Sequence, residues 1–115
     1  MSLILHGRAF VDGALHDDVL VTIDEQVIVD VARTTHVPAA AERVSGILVP
    51  GFVDVHVHGG DGADFMDAHE DATMRILRFH AAHGTTALAA TTLSASRGDL
   101  QNAVETIARV SGEGA

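Results

Sequence analysis

The sequence predicts an α/β chain in two parts, a small antiparallel β segment over 1–49 and a strand–helix–strand–helix run over 50–115. Three observations carry this. Before Pro50 the apolar residues fall in short, β-branched runs broken by turn residues. After it, apolar strands alternate with stretches whose apolar residues recur at helical spacing. Between the two lies Val49-Pro50-Gly51-Phe52-Val53-Asp54-Val55-His56-Val57-His58-Gly59-Gly60, apolar but for Asp54, His56 and His58 up to its closing glycines. That is the pattern of a strand covered on both faces in a parallel sheet.

The elements follow in order. Leu3-Ile4-Leu5 opens a first strand that Gly7-Arg8-Ala9-Phe10-Val11 continues, and Asp12-Gly13 signals a hairpin turn. Residues 18–23 and the β-branched run 27–31 give two more strands, joined through Asp24-Glu25-Gln26. Residues 38–42 form a loop or short turn, and Val44 with 47–49 returns to strand. Pro50 then gives the next strand a rigid entry, because proline restricts its own φ and biases the residue before it towards extended geometry. Asp67 with Glu70 three later resembles a capping box, opening a helix through Met74, Leu77 and Ala81 that stops at Gly84. Residues 85–93 form a second buried strand. Ser96 with Asp99 caps a second helix, with an apolar stripe of Leu100, Ala103, Val104, Ile107 and Ala108. Strands alternating with helices in this way predict parallel pairing with right-handed crossovers.

The chemistry is concentrated in the first strand after Pro50. Successive side chains of a strand point to opposite faces, so His56 and His58 share one face while Val53, Val55 and Val57 take the other. Two neutral imidazoles held together at a strand end form half of a divalent-metal site. The Gly59-Gly60 pair predicts a sharp turn with room for a ligand. Asp54 shares the histidine face but lies towards the other end of the strand, where a backbone or basic partner suits it better than an imidazole. Asp61, Asp64 and Asp67 lack the glycine and terminal glutamate of a calcium loop and are read as capping and solvated residues. His80 and His83, three apart on the last turn of the first helix, could bind a metal but are read as exposed histidines of the kind favoured at a helix C-terminus, and His6, His16 and His36 as surface residues. Thr91, Thr92 and Ser94 close the second strand, where they would either meet a substrate or cap local backbone.

Composition excludes several classes. Sixteen acidic against seven basic residues give a net charge of −9, which argues against nucleic acid or an anionic membrane as partner. There is no cysteine, hence no disulfide or thiolate site, and any metal ligands are His, Asp or Glu. No apolar run approaches the ~20 residues of a membrane span. The N-terminus lacks a basic start and a long apolar stretch, so the expected location is cytoplasmic.

The order of parts, a β segment followed by the His-x-His strand, resembles the start of the amidohydrolase superfamily. Gly59-Gly60-Asp61-Gly62-Ala63-Asp64-Phe65-Met66-Asp67 and His83-Gly84-Thr85-Thr86-Ala87-Leu88-Ala89-Ala90-Thr91-Thr92-Leu93 are similar to the N-acetylglucosamine-6-phosphate deacetylase branch. Dihydroorotase-like relatives would carry arginine at the position of Gly60. The resemblance covers essentially the whole chain. It implies a (β/α)8 barrel with a small β-sandwich built from both chain ends, the active site lying at the C-terminal ends of the barrel strands. It implies a divalent metal, zinc before iron, manganese, cobalt or nickel, held in part by His56 and His58. It also implies a small amino-sugar phosphate substrate, and a homodimer in the full-length family. In some members this histidine pair is replaced and a single metal is bound elsewhere.

A barrel of this type needs ~250 residues, and this chain supplies about two of the eight units. The family's metal-binding glutamate, two further histidines, catalytic aspartate and phosphate-binding residues are therefore expected beyond Ala115, with no catalytic residue in this chain and no activity from it alone. The rival readings are another amidohydrolase of cyclic-amidase or dipeptidase type, and a non-catalytic module that binds a metal or a partner. A fragment is expected to expose apolar strand edges and self-associate, above all along 85–93.

Overall fold

The computed structural model describes residues 2–112. It divides into two compact units, the first reaching to Pro50 and the second starting at Gly51.

In the first unit, β1 (Ser2–Val11), β2 (Ala14–Asp24), β3 (Val27–Arg33) and β4 (Glu42–Leu48) form one sheet in the order β3-β2-β1-β4. The β1–β2 hairpin turns on Asp12 and Gly13, with φ of 51° and 79°, the backbone that a two-residue type I′ turn demands. The wholly antiparallel sheet expected from the sequence is not what forms. β1, β2 and β3 are antiparallel, but β4 pairs parallel to β1, Leu5 opposite Glu42 and Ala9 opposite Leu48. The connection over 34–41 is long enough to carry the chain past β2 to the far edge of β1, where it runs in the same sense as β1. Among the described residues, Ala9, Val19 and Leu20 are the buried apolar residues of this unit. His6 is not a surface residue: its side chain is 12% exposed, with Nε2 3.4 Å from the Asp18 carboxylate.

The second unit begins with β5 (Phe52–Val57), followed by a small hairpin of β6 (Gly59–Gly60) and β7 (Ala63–Asp64), and a single 3-10 turn (Phe65–Asp67). Then come α1 (Glu70–Ala82), β8 (Thr85–Ala90) and α2 (Arg97–Ser111). β5 and β8 pair in parallel, Phe52 opposite Thr85 and Val57 opposite Ala90. Backbone bonds extend the ladder at both ends, Phe52 N–H donating to Gly84 O and Thr91 N–H to Val57 O. β8 stops at Ala90, short of the predicted Leu93, because its partner strand ends at Val57, and it is not the buried strand expected, since Thr86, Ala87 and Ala89 are exposed.

Two further expectations are corrected in this unit. The capping box exists, but one step earlier: Asp64 accepts from Met66 N–H at 2.8 Å, and Asp67 accepts from Asp64 N–H at 2.9 Å. Ala68, at a left-handed φ of 53°, separates this turn from α1, which His69 opens without a side-chain cap. Ser96 caps α2 as predicted, accepting from Asp99 N–H. The second correction concerns burial. Val57, Phe65 and Ile76 form the core, with Leu88, Ala90 and Ile107 packed against it. Phe52, Val53 and Val55, however, are 60%, 69% and 76% exposed. β5 has one strand neighbour, and the core cluster reaches only its Val57 end.

Candidate metal centre

Alternation along β5 places the two histidines together. Their rings meet edge to face with centroids 4.8 Å apart, and His56 Nε2 lies 3.0 Å from His58 Nε2. One ion can sit at a typical imidazole–metal distance of ~2.1 Å from both nitrogens at that separation. The donor set also fits: neutral imidazole suits zinc and the other late divalent metals. Among the described residues no group of three or more His, Cys, Asp or Glu side chains gathers to hold an ion. Two imidazoles are half of the four-ligand set that a structural zinc takes.

The surroundings hold the pair in place. His58 Nδ1 is 3.0 Å from Thr91 O, the usual way a metal-ligating imidazole is oriented through its second nitrogen. Thr91 belongs to the segment just after β8, and its hydroxyl accepts from Val57 N–H at 3.2 Å. Asp54 accepts from His56 N–H at 3.1 Å, so its partner is neighbouring backbone, as its position in the strand suggested.

Gly59 and Gly60 do a different job from the one expected. The turn falls on Asp61 and Gly62, with φ of 51° and 76°. A Cβ at Gly59 would collide with the Ala63 carbonyl oxygen, and one at Gly60 would meet the Phe79 and His80 rings at 3.0 Å. The glycines admit protein, not ligand. His80 Nε2 donates to Gly59 O at 3.1 Å, tying α1 to the residue after His58. His83 Nδ1 donates to Phe79 O at 2.7 Å. Each of these histidines thus spends its N–H on a backbone carbonyl, and neither joins the pair. Asp61 pairs with Arg75 at 3.1 Å, and Asp64 and Asp67 cap the 3-10 turn.

The sequence weighed Thr91 as a strand-end hydroxyl. It gave no sign of the Thr91–His58 contact, which spans 33 residues and depends on the β5–β8 register. The His80–Gly59 contact was likewise missed, since it depends on where the C-terminal end of α1 lies over β6.

No family model matches the chain. An N-acetylglucosamine-6-phosphate deacetylase of Vibrio furnissii is 31% identical over 114 residues, covering 96% of this chain and 27% of that protein. Its counterpart in Bacillus subtilis (strain 168) is 41% identical over 59 residues, 50% of this chain and 15% of that protein. Among solved structures, a mutant N-acetyl-D-glucosamine-6-phosphate deacetylase from Mycobacterium smegmatis, in complex with N-acetyl-D-glucosamine-6-phosphate, superposes with a TM-score of 0.80. It is 34% identical, and the match covers 98% of this chain and 30% of that one. The chain therefore spans less than a third of the length of each of these relatives. Nearly all of it corresponds, in sequence and in fold, to a segment of the N-acetylglucosamine-6-phosphate deacetylases.

Proposed function

We propose that this chain is the N-terminal portion of a metal-dependent N-acetylglucosamine-6-phosphate deacetylase, which hydrolyses the acetamide of its substrate to glucosamine 6-phosphate and acetate. On this reading β5 and β8 are the first two strands of an amidohydrolase (β/α)8 barrel, and residues 1–49 are part of its small β-sandwich. Further strands would then cover Val53 and Val55. The relatives' named activity favours this over a cyclic amidase, a dipeptidase or a non-catalytic module.

One observation carries the metal half of the reading: two imidazole nitrogens 3.0 Å apart at the C-terminal end of a parallel strand, where barrels place their active sites. His56 and His58 would hold the ion, zinc being favoured by imidazole ligands with iron, manganese, cobalt and nickel as alternatives. When bound, such an ion acidifies water and polarises the amide carbonyl. The chain's own contribution is to fix two ligands on a strand that is hydrogen-bonded at its end, leaving proton transfer and phosphate recognition to residues outside it. A cytoplasmic, homodimeric whole protein completes the reading.

The test is a chimera. Residues 2–112 replace the matching segment of the Mycobacterium smegmatis enzyme, and acetate release from N-acetylglucosamine 6-phosphate is measured. The chimera is expected to turn over substrate and to lose at least ten-fold in rate with His58→Ala. A folded chimera without turnover, or one indifferent to His58→Ala, refutes the reading. The 115-residue chain alone is expected to release no acetate above a blank containing metal only.

A further inference from the structure

We propose that Thr91 is the positioning residue of the histidine pair: its carbonyl selects the tautomer of His58, and its hydroxyl and N–H hold the strand between the two rings. The inference rests on the metal reading above and adds to it an order of readiness between the ligands.

A carbonyl oxygen only accepts, so the 3.0 Å contact between His58 Nδ1 and Thr91 O requires the ring proton on Nδ1. A neutral imidazole carries one N–H, and His58 Nε2 is therefore a bare lone pair. That lone pair faces His56 Nε2 at 3.0 Å, a separation that calls for a proton on one of the two nitrogens. With His58 Nε2 as acceptor, the donor is His56 Nε2–H. His58 thus stands ready to ligate, whereas His56 must first shift its proton to Nδ1. His56 is exposed, and water provides the exchange.

The same threonine braces the backbone. Its N–H donates to Val57 O at 2.7 Å, and its hydroxyl accepts from Val57 N–H at 3.2 Å. The hydroxyl proton goes to Ala89 O at 3.1 Å. Val57 is the residue between the two ligands, so both of its peptide groups are held from one side chain and one backbone unit. A hydroxyl engaged as donor and as acceptor has little left to offer a substrate. This assigns Thr91 to positioning, not to substrate contact.

The experiment uses the full 115-residue chain, metal-free and at about pH 8, where imidazoles are ordinarily neutral. Long-range nitrogen-15 correlation spectra read each tautomer. The expected result is Nδ1–H for His58 and Nε2–H for His56, with zinc converting His56 to Nδ1–H and leaving His58 unchanged. Zinc titration calorimetry then compares variants. Thr91→Val should weaken binding about ten-fold, the scale on which groups behind a ligand act, and Thr91→Ser should restore it. Nε2–H on His58 in the metal-free chain overturns the proposal, as does, where the unsubstituted chain takes up zinc, Thr91→Val binding it as well as Thr91→Ser does. If Thr91→Val fails to fold, the tautomers of the unsubstituted chain decide. The tautomers stated here in a chain that takes up no zinc uphold the role of Thr91 and count against the metal reading alone.

Discussion

At the scale of single residues, the His-x-His pair was legible because strand alternation is strict: two apart means one face. What fixes the rings was not legible, because Thr91 and His80 come from elements that local patterns cannot position against β5. The glycines show the same limit. Their presence after His58 was plain, but the reason, close approach of Ala63 and of the Phe79 and His80 rings, is tertiary. Gly59→Ala is accordingly expected to lower stability by ~1–3 kcal/mol through overpacking against backbone that has no room to shift. Urea denaturation measures it, and an unchanged midpoint would show that the hairpin yields freely. Ala68 offers the opposite sign. It sits at a left-handed φ of 53° and its carbonyl accepts from the buried Thr106 hydroxyl at 3.3 Å, so the conformation is held by the fold. Ala68→Gly should relieve that strain and raise stability by ~0.5–1 kcal/mol, read as a higher urea midpoint at constant slope.

At the scale of elements, the strands and helices were legible wherever local chemistry is decisive. Asp12-Gly13 forces a hairpin, and Ser96 with Asp99 opens α2. The displaced capping box had an equally local cause that a pattern cannot separate: Asp64, Asp67 and Glu70 recur at the same interval, so the 64/67 and 67/70 registers both fit the rule, and the one that forms opens the turn carrying the buried Phe65. The parallel placement of β4 was not legible, since it follows from which sheet edge is free. The core of the second unit is small, and among the described residues Ile76 is its largest fully buried α-helical side chain. Ile76→Ala should cost ~2–5 kcal/mol, enough to unfold a unit with so few buried residues. Thermal melting followed by circular dichroism checks this, and a loss below ~1 kcal/mol would mean that the cluster around Phe65 and Val57 holds without it.

At the scale of the whole molecule, apolar exposure dominates. It includes the 85–93 segment, as the sequence suggested, where β8 has β5 as its one neighbour and Ala87, Ala89 and Leu93 are exposed, but the larger patches lie along Phe52, Val53 and Val55 of β5 and along Val27, Ile28 and Val29 of β3. Surfaces of this kind drive association. Val55→Lys, at a position 76% exposed, is expected to shift sedimentation towards the monomer while leaving the melting temperature nearly unchanged. Among the described residues no helix is long and apolar enough to cross a membrane. All of the functional reading meets at one place, the end of β5. The most direct measurement is an anomalous difference map at the zinc edge, from crystals of this chain grown with zinc. The expected result is one peak lying ~2.1 Å from Nε2 of both His56 and His58. A peak at one ring only, at His80 or His83, or nowhere on the strand would contradict it.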